Sequence, residues 1–324
     1  MERDVALLTG GNSGIGFGAA RALARAGWRV VIASRNRAAS ADAVRRLERE
    51  SGAGCAEELG VDLASPASVR DFAKEVAARG ITPRALVCNA GLQVNQGPRR
   101  TADGYELTFA ANHLGHFLLV NLLLERLARA ARIVIVSSGV HDPAQFTGMP
   151  KAAVGDLTVL AATGGPDPNA FDGRLAYVNS KLCNLWFAYE LDRRLSVWTS
   201  ARGAVPFTVN GWEPGLVPGS GLAREYPAAA RAIWNWILPG VTRVLHPFIP
   251  GMSTLGLSGP ALARMVLDPA LAGVSGKYFP STARWREAPS SRDSYDVERA
   301  RELWEASTRM TGLSSAESPL ARVA

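Results

Sequence analysis

Through its first 140 residues the chain alternates short apolar runs with longer segments whose apolar residues return every third or fourth place. The short runs read as strands buried on both faces and the longer segments as amphipathic helices. Their alternation is the pattern of a parallel sheet covered by helices on both sides. Strands are predicted at 5–9, 29–33, 56–61, 85–88, 132–136, 207–211 and 277–279, and helices at 14–26, 38–50, 65–78, 104–130, 175–195, 254–267 and 297–310. Ser65 followed by Pro66 marks one helix start, a capping hydroxyl before a proline. From 140 to 173 the periodicity dissolves into Pro, Gly and Asp, which predicts loops. Residues 220–252 carry Trp234, Trp236, Leu238, Val244, Leu245, Phe248 and Ile249, broken by Pro239, Pro247 and Pro250, and predict a helical flap. The expected architecture is α/β, a doubly wound three-layer α/β/α sheet in a single domain over 1–324 with a lid at 220–252.

Composition narrows the function classes. With 324 residues, 47% hydrophobic, the chain can bury a substantial core, which excludes disorder as its main state. Three cysteines, Cys55, Cys88 and Cys183, read as reduced thiols and not as a disulfide framework. The net charge is +7, yet only four of the 36 basic residues are Lys and the arginines are scattered. That is not the concentrated footprint of a nucleic-acid binder, and a GC-rich bacterial coding bias accounts for it equally well. The N-terminus runs straight into a strand, and no segment holds the roughly 20 uninterrupted apolar residues of a membrane span. A cytoplasmic protein is expected.

Candidate chemistry begins at the first strand–helix junction. Thr9, Gly10, Gly11, Asn12, Ser13, Gly14, Ile15 and Gly16 form a glycine-rich turn. Such a turn brings backbone N–H groups and the positive end of a helix onto a pyrophosphate. A site selecting NAD places an acidic residue at the end of the second strand, whereas this chain has Arg35, with Arg37 near it, suited to a 2′-phosphate. NADP(H) is therefore the expected cofactor. Asp62-Leu63 and Asn89-Ala90-Gly91 close the third and fourth strands, on the edge where doubly wound sheets take ligands.

Ser138 closes the fifth strand, and Tyr177 and Lys181 stand four apart, on one face of the following helix. An ammonium beside a phenol favours the phenolate and lowers a pKa normally near 10. A tyrosine so tuned exchanges a proton with a carbonyl or alcohol oxygen while a nicotinamide exchanges hydride. A serine hydroxyl holds the same oxygen.

Taken in order, these motifs resemble the short-chain dehydrogenase/reductase family. Its Thr-Gly-x-x-x-Gly-x-Gly pattern matches Thr9, Gly10, Gly14 and Gly16, and its Asn-Ala-Gly matches 89–91. The catalytic tetrad matches Asn112, Ser138, Tyr177 and Lys181. The resemblance implies that Lys181 also binds the nicotinamide ribose, that Asn112 supports a proton-relay water, and that Pro214-Gly215, with Val217 beyond, flanks the nicotinamide. Members of the family often form a homodimer through the helices after the fourth and fifth strands, a pairing that the extra loops here could block. The run Asn112-His113-Leu114-Gly115-His116-Phe117 and the long gap from Ser138 to Tyr177 are similar to the branch holding retinol dehydrogenases and light-dependent protochlorophyllide reductase. The stretches Leu86–Ala90, Val154–Leu157 and Glu298–Leu313 lean to the reductase, and Gly276–Phe279 to the retinol group. Two positions depart from the family: Gly219 stands where a carboxamide-binding Thr is usual, and Leu216 where the reductase often carries Cys.

His113 and His116 share a helix face, but no third ligand lies nearby, so packing is expected and no metal. Cys183 reads as an inert buried thiol. His141, Trp234 and Trp236 are candidate substrate residues. The Trp-rich flap has three readings, a lid, a membrane-touching helix or core, and its place after Pro214-Gly215 favours a lid over a bulky apolar substrate. The expected function is a ketoreductase or alcohol dehydrogenase. A protochlorophyllide-type C=C reductase is the alternative among enzymes, and a non-catalytic NADP-binding regulator the alternative of another class.

Overall fold

The computed structural model describes residues 3–145, 147–202, 207–221, 227–246, 248–249, 251–281 and 286–322. Seven strands, β1 (Val5–Thr9), β2 (Arg29–Ser34), β3 (Ala56–Gly60), β4 (Ala85–Cys88), β5 (Arg132–Val136), β6 (Thr208–Glu213) and β7 (Lys277–Pro280), form one sheet. The order is β3-β2-β1-β4-β5-β6-β7 and every neighbouring pair is parallel. The chain moves outward from β1 to β3, then returns to place β4 on the other side of β1. The carboxyl ends of β1 and β4 therefore border a crevice at the switch point.

The strands read as unbroken apolar runs because both faces are covered. One face packs Leu8, Val30 and Ile32 against α1 (Gly14–Arg25), α2 (Arg37–Ser51) and the later α10 (Leu255–Leu267). The other packs Leu7, Val31 and Ile133 against α3 (Pro66–Ala78) and the helical run that follows β4. That run comprises α4 (Leu107–Phe109), a π-helical turn (Ala110–Leu114) and α5 (Gly115–Leu123). It starts three residues later than the sequence predicts, because Glu106 caps it, accepting from the N–H groups of Thr108 at 2.8 Å and Phe109 at 2.7 Å. Leu107–Arg126 is long and apolar enough to cross a bilayer, but 94% of its apolar window is buried inside the fold, so it is a core helix.

Two further boundaries correct the sequence reading. The expected loop at 140–173 contains α6 (Leu157–Thr163), capped by Asp156 and ended by Gly164 in the left-handed region. The helix expected at 175–195 is α7 (Gly173–Ser200), which Asp172 caps. Most of its central residues are buried, which is why no polar face marks its ends. The flap contains α8 (Ala228–Ala232), a second π turn (Ile233–Ile237) and α9 (Leu238–Leu245). Pro239 lies in the first turn of α9 and does not break it, while Pro247 and Pro250 lie outside the described residues. α1 and α10 cross at Gly18 and Gly259, and a Cβ on Gly18 would come within 2.9 Å of the Gly259 Cα. The last long helix, α11 (Val297–Thr311), lies against α7 and puts Trp304 edge-on to Phe117, with ring centroids 4.9 Å apart.

Candidate active site

A cavity of about 1940 Å³ lies along the carboxyl edge of the sheet, from the end of β2 to the end of β7. That is roughly twice the upper size of an ordinary small-ligand pocket, room for a dinucleotide with a second large molecule beside it.

The turn after β1 forms one end. Gly10 and Gly14 take φ of 66° and 56°, which favours glycine. A Cβ on Gly16 would collide with the Gly10 carbonyl and come within 2.6 Å of the Asn89 amide. The first turn of α1 carries no acidic side chain and opens on the cavity, so its N–H groups and positive end are available to an anion. Among the calls on the sequence, Asn12, Ser13, Ile15, Asp62, Leu63, Ala90 and Gly91 line this same space. Arg35 lines it too, with about half its side chain exposed and only a loose 3.9 Å contact to Asp62. Arg37 does not, because Glu58 holds its guanidinium at 3.0 Å. Ser34, Asn36 and Ala39 join the lining without having been singled out.

One buried relay links this turn to the far end. The Asn89 amide donates to the Thr9 carbonyl at 2.8 Å, and the Thr9 hydroxyl accepts from the N–H groups of Asn89 at 2.9 Å and Ala90 at 3.0 Å. His116 Nδ1 lies 2.9 Å from the Asn112 carbonyl, which can only accept, so Nδ1 carries the proton and Nε2 accepts from Thr9 at 2.9 Å. Burial pulls the His116 pKa down to about 4 and keeps the ring neutral. His113 turns away to Ser307, at 2.9 Å, so the two histidines serve separate partners.

The candidate catalytic residues Ser138, Tyr177 and Lys181 line the cavity where β5 and α7 meet. Ser138 lies at the mouth of β5, and its hydroxyl has no hydrogen bond to any described residue. α7 is tied to β5 by three bonds: Ser137 Oγ donates to the Lys181 carbonyl at 2.8 Å, while Lys181 Nζ and Asn184 Nδ2 each donate to the Val136 carbonyl at 3.2 Å. These fix Tyr177 and Lys181 over the strand end, with the Lys181 nitrogen 5.5 Å from the centroid of the Tyr177 ring. Burial lowers the Lys181 pKa to about 8. A Cβ on Gly91 would sit 3.5 Å from both Lys181 Nζ and Asn112 Oδ1, so this glycine keeps the ammonium accessible.

Asn112 does not line the cavity. Its amide donates to the Leu92 carbonyl and Ser180 Oγ, both at 3.0 Å, and its oxygen accepts from Leu92 N–H at 2.8 Å. The side chain is thus spent bracing the loop after β4 against α7. His141 also falls outside the lining: it is buried, with Nδ1 on the Ser138 carbonyl, Nε2 accepting from Ser291 N–H at 3.2 Å and its ring edge-on to Tyr278. Trp236 is 84% exposed on the outer face of the flap and is no part of the cavity. Trp234 is: its indole N–H donates to the Ser220 carbonyl at 3.2 Å and holds the flap to the loop carrying Pro214, Gly215 and Val217, all cavity residues. Reading the flap as core fails, since Ile237, Val244 and Phe248 are also exposed. Gly219, in place of the family's threonine, takes φ of 81°, a conformation disfavoured for a β-branched residue. The residues the sequence reading overlooked are Gln93, Gln145, Glu213 and Tyr278, all in the lining. An acid beside Pro214-Gly215, at the end of a buried strand, was the available signal for Glu213.

The arrangement fits a dinucleotide: a glycine cradle that tolerates no side chain, a helix start free of acids, and a cation at the β2 end. Comparison with known proteins agrees. The family model described as short chain dehydrogenase matches residues 4–158. Protochlorophyllide reductase A of Oryza sativa subsp. japonica is 34% identical over 97% of this chain and 82% of its own length. The WW domain-containing oxidoreductase of Homo sapiens is 35% identical over 94% of this chain and 67% of its own. Among solved structures, an uncharacterized protein from Mycobacterium paratuberculosis superposes with a TM-score of 0.67 at 28% identity, covering 95% of this chain and 93% of that one. The angucycline C-6 ketoreductase LanV, solved with NADP, gives 0.61 at 22% identity, covering 86% and 94%, and shares the fold.

Proposed function

Because the chain belongs to the short-chain dehydrogenase family, in the branch of protochlorophyllide reductase and the retinol dehydrogenases, we propose that this oxidoreductase reduces a carbonyl on a bulky hydrophobic substrate with NADPH. The observation that carries the reading is that Ser138, Tyr177 and Lys181 line the same cavity as the glycine turn and Arg35.

Gly10, Gly14, Gly16 and the start of α1 would hold the pyrophosphate, Arg35 the 2′-phosphate, and Lys181 the nicotinamide ribose. The bound dinucleotide supplies the reducing equivalent. The Ser138 hydroxyl, which bonds to no described residue, donates to the substrate oxygen and holds it against Tyr177. The Tyr177 phenol gives that oxygen its proton, and the Lys181 ammonium stabilises the phenolate left behind. Asn112 positions this machinery from behind, through Leu92 and Ser180. The cavity volume, and Trp234, Met252 and Ile249 in its wall, support a large apolar substrate.

Fluorescence titration with NADPH and NADH, followed by a screen of bulky ketones, tests this. Tighter NADPH binding and ketone turnover that falls by about two to four orders of magnitude in Tyr177→Phe support it. Failure to bind either dinucleotide overturns it. A second reading, reduction of a C=C bond in a tetrapyrrole, draws on the 34% identity to protochlorophyllide reductase along nearly the whole chain. Light-dependent turnover of that pigment would favour it over the ketone reading.

A further inference from the structure

The substrate end of the cavity contains a polar cluster that the hydride chemistry does not use. Glu213 ends β6 and is only 4% exposed. Its sole side-chain partner among the described residues is Tyr278 of β7, whose hydroxyl donates to Oε2. A Cβ on Gly139, the residue after Ser138, would sit 2.6 Å from Glu213 Oε2 and 2.7 Å from Gln145 Oε1. Both oxygens therefore crowd the backbone beside the reactive serine, where glycine alone leaves them room.

Across β5, in the loop after β4, Gln93 is 2% exposed. Its amide nitrogen donates to Asn95 Oδ1 at 2.9 Å, but its buried oxygen Oε1 has no partner among the described residues. The strand order β4-β5-β6 thus sets Gln93 and Glu213 on either side of Ser138, and all three line the cavity. The cluster offers acceptors at Gln93 Oε1 and at Glu213, and the Tyr278 hydroxyl is already spent on Glu213. A buried acceptor without a partner is destabilising, and a ligand that brings a donor to it recovers that loss.

We propose that Glu213 and Gln93 are specificity-determining residues that select a hydroxylated polycyclic ketone, each accepting a hydrogen bond from a substrate hydroxyl while Ser138 and Tyr177 hold the reacting oxygen. Neutral hydroxyls fit better than an ammonium, because Gln93 offers no charge and burial raises the Glu213 pKa. This assignment rests on the ketone reading of the site and narrows it to a substrate class.

The test uses NADPH-loaded protein with α-tetralone, its ring-hydroxylated isomers and its ring-aminated isomers as probes. Binding is followed by quenching of protein fluorescence, and reduction by loss of NADPH absorbance. At least one hydroxylated isomer is expected to bind about tenfold to a hundredfold tighter than α-tetralone. That ratio should collapse towards one in Glu213→Leu or Gln93→Leu. Glu213→Gln, which keeps the volume and exchanges an acceptor for a donor, should lower it too and serves if the leucine variant does not fold. Equal binding of every isomer, a ratio unchanged in both variants, a preference for the aminated probes, or no binding of any probe overturns the assignment. If NADPH itself does not bind, the cofactor reading of the site falls, and this assignment with it. That outcome is separate from a loaded protein that ignores the hydroxyl.

Discussion

Asn89 holds Thr9 by both ends: its amide donates to the Thr9 carbonyl at 2.8 Å, and its backbone N–H donates to the Thr9 hydroxyl at 2.9 Å. Two loops some 80 residues apart in the chain are thereby joined where the pyrophosphate would lie. Asn89→Ala leaves the Thr9 carbonyl unpaired and opens space against Gly10 and Gly16. We expect about 1–3 kcal/mol of lost stability and roughly tenfold weaker NADPH binding, read by urea denaturation and fluorescence titration. Unchanged NADPH affinity would remove Asn89 from the cradle.

Arg35 lines the β2 end of the cavity with only a loose 3.9 Å contact to Asp62, whereas Arg37 is engaged by Glu58 at 3.0 Å. Arg35→Ala should therefore weaken NADPH by about tenfold to a hundredfold, a charged hydrogen bond lost, and leave NADH nearly unaffected. Arg37→Ala should change neither by more than about twofold, a surface pair being of little consequence to a ligand it does not face. Equal losses for both dinucleotides in Arg35→Ala would refute the phosphate role.

Burial holds the Lys181 pKa near 8, below its ordinary 10.5, with two consequences of opposite sign. Below about 8 the ammonium is present to stabilise the Tyr177 phenolate, so kcat/KM for ketone reduction should be level there and fall as pH rises through 8. Between 8 and 10.5 the unfolded chain binds the proton that the folded one has released, so this lysine makes the fold more stable as pH rises. Lys181→Met should abolish both trends. A variant that keeps the alkaline limb of the rate profile assigns that limb to another group.

Arg70 gathers the C-terminal segment: its Nε is 2.7 Å from Glu317, and its Nη2 donates to the carbonyls of Thr311 and Gly312 at 3.0 Å. The guanidinium holds the Glu317 pKa down to about 2 from the usual 4.5. Stability from this pair is complete above 4.5 and is lost as pH falls from 4.5 towards 2. Arg70→Ala should cost about 1–3 kcal/mol at neutral pH and remove that part of the acid dependence, as followed by denaturation midpoints across the range.

Much of the frame was legible before any coordinates, for a local reason. Strands such as 5–9 and 132–136 are apolar because helices cover both their faces, and the glycine turn is specified by its own run of residues. What escaped was set from a distance. α6 lies in a stretch of weak periodicity and is held by Asn179, whose amide nitrogen donates to the carbonyls of Ala153 and Gly164, both at 2.9 Å. His141 reads as a pocket residue from its neighbour Ser138, but Ser291 and Tyr278, more than 130 residues on, draw it inside. Trp234 and Trp236 are two apart, so a helical turn points them to opposite sides, and one lines the cavity while the other lies on the surface. Glu213 gains its meaning only from Tyr278 and the empty space at Gly139.

The core against α3 and α5 is not closed by the strands and helices of the first half. Trp304, Leu313 and Leu320 belong to the same apolar cluster as Val5, Phe72 and Phe117, and Ser318 donates to Asn121 at 2.7 Å to seal it. On the ribosome, the segment that looks most like a finished nucleotide-binding unit therefore waits with bare apolar surface until nearly 200 more residues have been added. At roughly 5–20 residues per second, that interval lasts about ten seconds or more, long enough for a holding chaperone to matter to yield.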